Sequence, residues 1–176
     1  MAKIIVIGCP GSGKSTMTFK LTEILNYPTL HLDKIYHIDN DHHISSEELS
    51  KQVDIFANTY ENWIIDGNFL YTIEQRIKLA DTIVLLNIDS KICVQNAINR
   101  TKKSRTADMA EGFDITKISD EFLDYIANFQ KDTLPEILEI IKKHKNGKIV
   151  YILNNYAEIE DFLKNVKSQV NNDLSL

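Results

Sequence analysis

Arginine is scarce in this 176-residue chain: Arg76, Arg100 and Arg105 are the only three among twenty cationic residues. A guanidinium grips oxyanions two oxygens at a time, so a chain that otherwise uses lysine is expected to keep arginine where that geometry matters. Cysteine is nearly absent too. Cys9 and Cys93 lie far apart with neither metal-ligand nor redox-motif spacing, which points to two reduced thiols. Cys9 sits in a glycine-rich loop, and an accessible position there would leave it open to oxidants and alkylating agents. No apolar run is long enough to cross a bilayer, which excludes a helical membrane span. Met1-Ala2-Lys3 leads into only four apolar residues, Ile4 to Ile7, too few for a secretion signal, so a cytoplasmic location is expected. Positive charge is short as well: a net charge of −5 argues against a broad nucleic-acid surface. No repeat or low-complexity segment interrupts the chain, and one domain over 1–176 is the expectation.

What the chain does contain is an alternation of short β-branched runs with helical periodicity, the pattern of βαβ units around a parallel sheet. Strands are expected at Lys3–Ile7, Thr29–Asp33, Trp63–Asp66, Thr82–Ile88 and Lys148–Leu153. After the first strand, Met17, Leu21, Ile24 and Leu25 share one helical face, and Pro28 closes that unit. Ser45 with Glu48 reads as a capping box for a helix carrying Leu49, Val53, Phe56 and Tyr60. Thr133 with Glu136 reads as a second box, with Pro135 in the first turn. Lys91 to Lys103 has helical character, Ser104 to Thr116 reads as a flap, and Asn171 to Leu176 as a frayed tail. The class is α/β.

Gly8-Cys9-Pro10-Gly11-Ser12-Gly13-Lys14-Ser15, followed by Thr16, satisfies the Walker A pattern between an apolar strand and an amphipathic helix. Glycines let successive N–H groups converge on a phosphate, and the helix adds the positive end of its dipole. Lys14 is expected on the β- and γ-phosphates of ATP, and the Ser15 hydroxyl on Mg2+. Asp66-Gly67-Asn68 ends the third strand, at the end of a parallel sheet where ligands bind, so Asp66 is expected to orient Mg2+. Asp33 closes the second strand, where a carboxylate can take the proton of an acceptor hydroxyl; a phosphate acceptor needs no such base. Helix capping or an ion pair with Lys34 is the alternative for Asp33. Tyr36, Tyr60 and Phe69 can stack on a planar acceptor or pack together. His37, His42 and His43 read as solvated rather than as ligands.

The order of phosphate loop, Asp66-Gly67-Asn68 turn and flap after Arg100 resembles adenylate-kinase-like proteins. More closely, the chain resembles the DNA topology modulation protein FlaR-related family. That resemblance lies in His31-Leu32-Asp33 with Tyr36, in Trp63 to Asn68, in Arg76 before Ala80-Asp81, and in Arg105 to Gly112. It implies a three-layer P-loop fold of the nucleotide-kinase type, a five-stranded parallel sheet of order 2-3-1-4-5, an acceptor region at about 34–62 and a lid at about 104–116. ATP is the implied donor, an unidentified small molecule the acceptor, and a monomer or homodimer the assembly. Lys14, Asp33, Asp66, Arg100 and Arg105 are then the candidate catalytic residues, and Gly8, Pro10, Gly11, Ser12, Gly13, Lys14, Ser15 and Thr16 hold the nucleotide. Asp33, Tyr36, Gly67, Asn68 and Arg76 face the acceptor. The departure is Ser119 to Lys131, which contains no arginine where adenylate kinases place one. That gap opens a second reading, a nucleotide-binding regulator with little turnover whose effect on DNA topology or gene expression is indirect.

Overall fold

The computed structural model describes residues 2–101, 109, 114 and 116–173. Five parallel strands, β1 (Lys3–Gly8), β2 (Thr29–His31), β3 (Trp63–Asp66), β4 (Thr82–Leu86) and β5 (Ile149–Leu153), form one sheet of order β2-β3-β1-β4-β5. Around it lie α1 (Lys14–Leu25), α2 (Leu32–Tyr36), α3 (Ser46–Thr59), α4 (Leu70–Leu79), α5 (Ser90–Arg100), α6 (Asp120–Asp132), α7 (Leu134–His144) and α8 (Tyr156–Asp173). The expected strand order is the observed one.

The central strands are apolar between their ends because helices cover both faces, so Ile5, Val6, Ile7, Ile64, Ile65, Val84 and Leu85 are all sealed. β5 is an edge strand and is mostly exposed. The register pairs Val6 with Asp66 and His31 with Asp66, which brings the ends of β1, β2 and β3 to one rim. Helices α1 and α8 pack together, as do α4 with α7 and α5 with α6. Among the described residues, no helix is long and apolar enough to cross a membrane.

Several boundaries differ from the sequence reading. β2 stops at His31, and Leu32, fully buried, starts a short helix, so Asp33 lies in the first turn of α2 rather than in a strand. Ser45 caps α3 as expected, accepting from the Glu48 N–H at 3.1 Å. The Thr133 box does not form: Thr133 is itself helical, closing α6 through its N–H to Phe129 O, and an Ncap hydroxyl needs extended backbone to reach forward. Ser119 and Asp89 cap α6 and α5 instead. Asn171 to Asp173, expected to fray, continue α8. Most of the expected flap falls outside the described residues.

Candidate nucleotide and acceptor site

The chain leaves β1 through the glycine loop and enters α1 at Lys14. Gly11 has φ +87°, and a Cβ there would lie 2.2 Å from Cys93 O, so the loop presses against α5 with no room for a side chain. Gly13, also at positive φ, is the Ncap of α1, whose first turn carries no acidic residue. Its free N–H groups and dipole therefore face an anion site unopposed by a local carboxylate. Lys14 is buried and its ammonium donates to Gly8 O at 2.9 Å and Cys9 O at 3.0 Å. Burial lowers its pKa, opposed chiefly by Asp33 and also by Cys9 and Asp66, while Arg100 adds to the depression. Of the other loop positions, Gly8 and Ser12 are buried, Pro10 and Ser15 half-buried, and Thr16 exposed at the mouth. Ser12 Oγ has no partner among the described residues.

Asp66 ends β3 with one oxygen 3.0 Å from His31 Nδ1, while its Oδ2 is buried without a partner among the described residues. His31, whose ring centre is 5.0 Å from that of Phe19, had entered the sequence reading only as part of a resemblance. The Asp66-Gly67-Asn68 turn is tied down by Gly67 N–H to Val6 O at 3.2 Å, and Asn68 Oδ1 accepts from the Gly8 N–H at 3.3 Å. Asn68 Nδ2 lies 3.3 Å from the Tyr125 hydroxyl of α6. Leu32 packs on this turn: a Cβ at Gly67 would be 2.8 Å from Leu32 Cβ. Asp33 therefore shares a rim with Asp66, and both carboxylates act on Lys14 and on Arg76.

Arg76 departs from expectation. It is fully buried, and its guanidinium donates to Gly67 O at 2.8 Å, Phe69 O at 3.0 Å and Thr72 Oγ1 at 3.0 Å. Burial pushes its pKa down to about 9 against the pull of Asp66, Tyr71 and Asp33. The side chain braces the turn below Asp66 and does not face the open acceptor side. Tyr36 is also engaged, stacked on His43 at 4.6 Å and tilted on Phe69 at 4.7 Å, whereas Tyr60 packs apart on Phe56. Burial lowers the pKa of His37; His42 is bound to the Asp39 carboxylate at 2.9 Å. Cys9 and Cys93 are free thiols, Cys9 Sγ donating to Ile126 O at 3.8 Å and Cys93 Sγ to Ile88 O at 3.6 Å; at 1% exposure Cys9 is closed to solvent, not the accessible thiol its loop position suggested.

A cavity of about 480 Å³ opens beside the loop between α1, α5 and α8, lined in part by Gly13, Thr16, Asn96, Arg100 and Tyr156. Asn96 Nδ2 bridges Gly11 O at 2.9 Å and the Tyr156 hydroxyl at 2.7 Å, joining the loop to both helices. The volume suits a ligand of nucleoside size. Asn96 and Tyr156 were missed in the sequence; the one available signal was that Tyr156 follows the C-terminal end of a strand. Arg100 belongs to this wall, while Arg105 lies outside the described residues.

No family model and no curated protein sequence matches the chain. Solved structures do. A shikimate kinase from Acinetobacter baumannii in complex with shikimate superposes with a TM-score of 0.60 at 14% identity, covering 98% of this chain and 94% of that one. Deoxyadenosine kinase from M. mycoides with bound dATP gives 0.53 at 13% identity, covering 94% and 99%. Shikimate kinase from Bacteroides thetaiotaomicron gives 0.52 at 19% identity, covering 96% and 97%. The fold is that of the P-loop kinases. At such identities the likeness carries the architecture, and the chemistry has to be argued from this chain's own site.

Two oxygens fit a magnesium ion: the orphaned, buried Asp66 Oδ2 and the half-buried Ser15 hydroxyl in the first turn of α1. Both are hard donors of the kind Mg2+ takes, few in number because nucleotide phosphates and water complete its shell. Among the described residues no cluster of three or more His, Cys, Asp or Glu stands ready to hold a metal by itself.

Proposed function

We propose that the chain is an ATP- and magnesium-dependent phosphotransferase acting on a small-molecule acceptor. The observation that carries this reading is the phosphate loop itself, with the buried Lys14 ammonium held by the Gly8 and Cys9 carbonyls of the loop. In this reading the loop N–H groups and Lys14 receive the β- and γ-phosphates, and the cavity beside Arg100 and Tyr156 receives the base and ribose. Ser15 and Asp66 would hold Mg2+, whose charge offsets that of the phosphate oxygens. Asp33 accepts the acceptor's proton, Gly67 and Asn68 line the approach, and Arg100 with Arg105 neutralises the phosphoryl group in transfer. His31 fixes the Asp66 carboxylate and so acts as a positioning residue.

The test is ADP formation from ATP and Mg2+ with candidate acceptors. Lys14→Ala is expected to remove turnover altogether, and wild-type turnover in that variant would overturn the assignment. A second reading, a nucleotide-dependent regulator with little turnover, is favoured by one feature: α6 follows the lid region without an arginine, and Lys131 is a point charge, not a fork. Acceptor-stimulated ADP release excludes it. The resemblance to the FlaR-related family remains one of motifs, and the acidic net charge favours an indirect route to any effect on DNA.

A further inference from the structure

We propose that Asn96 is a positioning residue that ties the nucleoside cavity to the phosphate loop, so that a nucleoside held in the cavity tightens the loop on phosphate. This deepens the phosphotransferase reading and rests on its placing of base and ribose beside Tyr156.

The loop bends where Asn96 holds it. Ser12 N–H donates to Cys9 O at 3.1 Å, closing a turn with Pro10 and Gly11 at its centre. The φ of +87° at Gly11 is that of the second central residue of a type II turn, a place for glycine. A trans peptide unit is planar, so its C=O and N–H point opposite ways. The Gly11–Ser12 unit is therefore held at both ends, its N–H by Cys9 O and its carbonyl by Asn96 Nδ2 at 2.9 Å. Its fixed plane aims the stretch that follows, Gly13 to Ser15, where the free N–H groups at the start of α1 converge on the anion site. Asn96 stands one turn after Cys93 on the same face of α5, and Gly11 is pressed against Cys93, so bond and close packing secure one peptide.

The other hydrogen of the same amide goes to the cavity. A backbone carbonyl only accepts, so the amide nitrogen of Asn96 must face Gly11, and that nitrogen also lies 2.7 Å from the Tyr156 hydroxyl. The Tyr156 oxygen is then the acceptor, and its own proton points elsewhere. Tyr156 opens α8 and is 44% exposed on the cavity wall, with Cε1 3.6 Å from where a Cβ on Gly13 would stand. A base nitrogen or ribose oxygen in the cavity can take that proton, and a hydroxyl that donates is a better acceptor in return. The chain from ligand through Tyr156 and Asn96 to Gly11 strengthens as a whole, and the nucleoside steadies a turn it does not touch. Linkage is reciprocal: phosphate in the loop tightens the hold on the nucleoside, and the site favours a nucleoside triphosphate over inorganic polyphosphate.

The experiment separates the two halves of the donor, adenosine for the cavity and pyrophosphate for the loop. Each is titrated by calorimetry into the full chain with Mg2+, alone and with the other at saturation. In the unaltered protein, saturating adenosine is expected to lower the pyrophosphate Kd about three- to tenfold, the span of one net hydrogen bond. Asn96→Leu should abolish this effect of adenosine and also weaken pyrophosphate alone. Tyr156→Phe keeps the ring and the Asn96 bond to Gly11; it should abolish the effect of adenosine too, but weaken pyrophosphate alone less than Asn96→Leu does. A loss of stability that leaves the protein folded, checked by circular dichroism, does not move this ratio of affinities. If adenosine leaves the pyrophosphate Kd of the unaltered protein unchanged, or if its effect survives either substitution, the coupling is overturned; survival makes Asn96 a mere staple between α5 and α8. With ATP still bound, those results leave the phosphotransferase reading standing. Failure of the unaltered protein to bind ATP removes that reading and this inference with it.

Discussion

Replacing Arg76 by methionine separates a bracing arginine from an acceptor-binding one. Methionine fills much of the same volume but removes the donors to Gly67 O, Phe69 O and Thr72 Oγ1; Phe69 O keeps the Thr72 N–H and hydroxyl, while Gly67 O loses its guanidinium partner. It also removes the cation that offsets Asp66 and Asp33. Breaking one side of a buried charged group costs about 3–5 kcal/mol, and the loss at Gly67 O falls largely within that figure because the losses are not additive. For a chain of this length each kcal/mol moves Tm by about 2–4 °C, so the variant should melt ~6–20 °C lower. Against a typical stability of about 5–15 kcal/mol it still folds. Urea unfolding followed by circular dichroism, with calorimetry as a second probe, measures the loss. Arg76→Lys should fall between, since one ammonium cannot reach three acceptors set around a planar fork. If Arg76→Met loses less than about 1 kcal/mol, the range of an ordinary surface change, and only the acceptor KM rises, the guanidinium faces the acceptor and the bracing argument is wrong.

Gly11→Ala should abolish ATP binding and lower stability, because its Cβ has to displace the Cys93 carbonyl of α5, whereas Gly147→Ala, also at positive φ but with open space around it, should cost only about 1–2 kcal/mol of backbone strain; equal losses in calorimetry would deny that the loop is pressed against α5. The Asp39 contact raises the pKa of His42, and the His42 bond lowers that of Asp39. The His42 contribution is complete below its ordinary value of 6.5 and lost as pH rises through the raised one. That of Asp39 is complete above 3.8 and lost as pH falls through the lowered value, so the Asp39–His42 pair is tightest between the two. Proton NMR should find His42 titrating above 6.5, with Asp39→Asn returning it to that value; no change in the variant would remove the pair.

The sheet was legible because buried parallel strands are short, continuous apolar runs, and β1, β3 and β4 stand out between polar segments. The phosphate loop was legible for a different reason: all its donors are contiguous, so a local pattern contains the whole site. What escaped notice is what the fold assembles from distance. Asn96 meets Gly11 from 85 residues away, and His31 reaches Asp66 across the register of two strands. Arg76 shows the limit of composition, which can mark an arginine as special without telling whether its fork points outward or into the backbone. Thr133 shows the limit of a capping pattern: a new helix does start at Leu134 with Pro135 in its first turn, but the hydroxyl cap does not form because Thr133 itself has helical backbone.

These pieces converge on Lys14. Its ammonium is buried against two loop carbonyls, and burial lowers its pKa while Asp33 and Asp66 oppose the shift. Phosphate oxygens entering the loop bring more negative charge to the same spot than the carboxylates supply, so the ammonium is drawn toward the nucleotide. Asp33 and Asp66 then lose their main claim on Lys14. The fixed brace of Arg76 beneath Asp66 and the His31 contact beside it keep that carboxylate in place while its partner cation turns away. On the reading proposed above, a site so arranged favours ordered use, donor first.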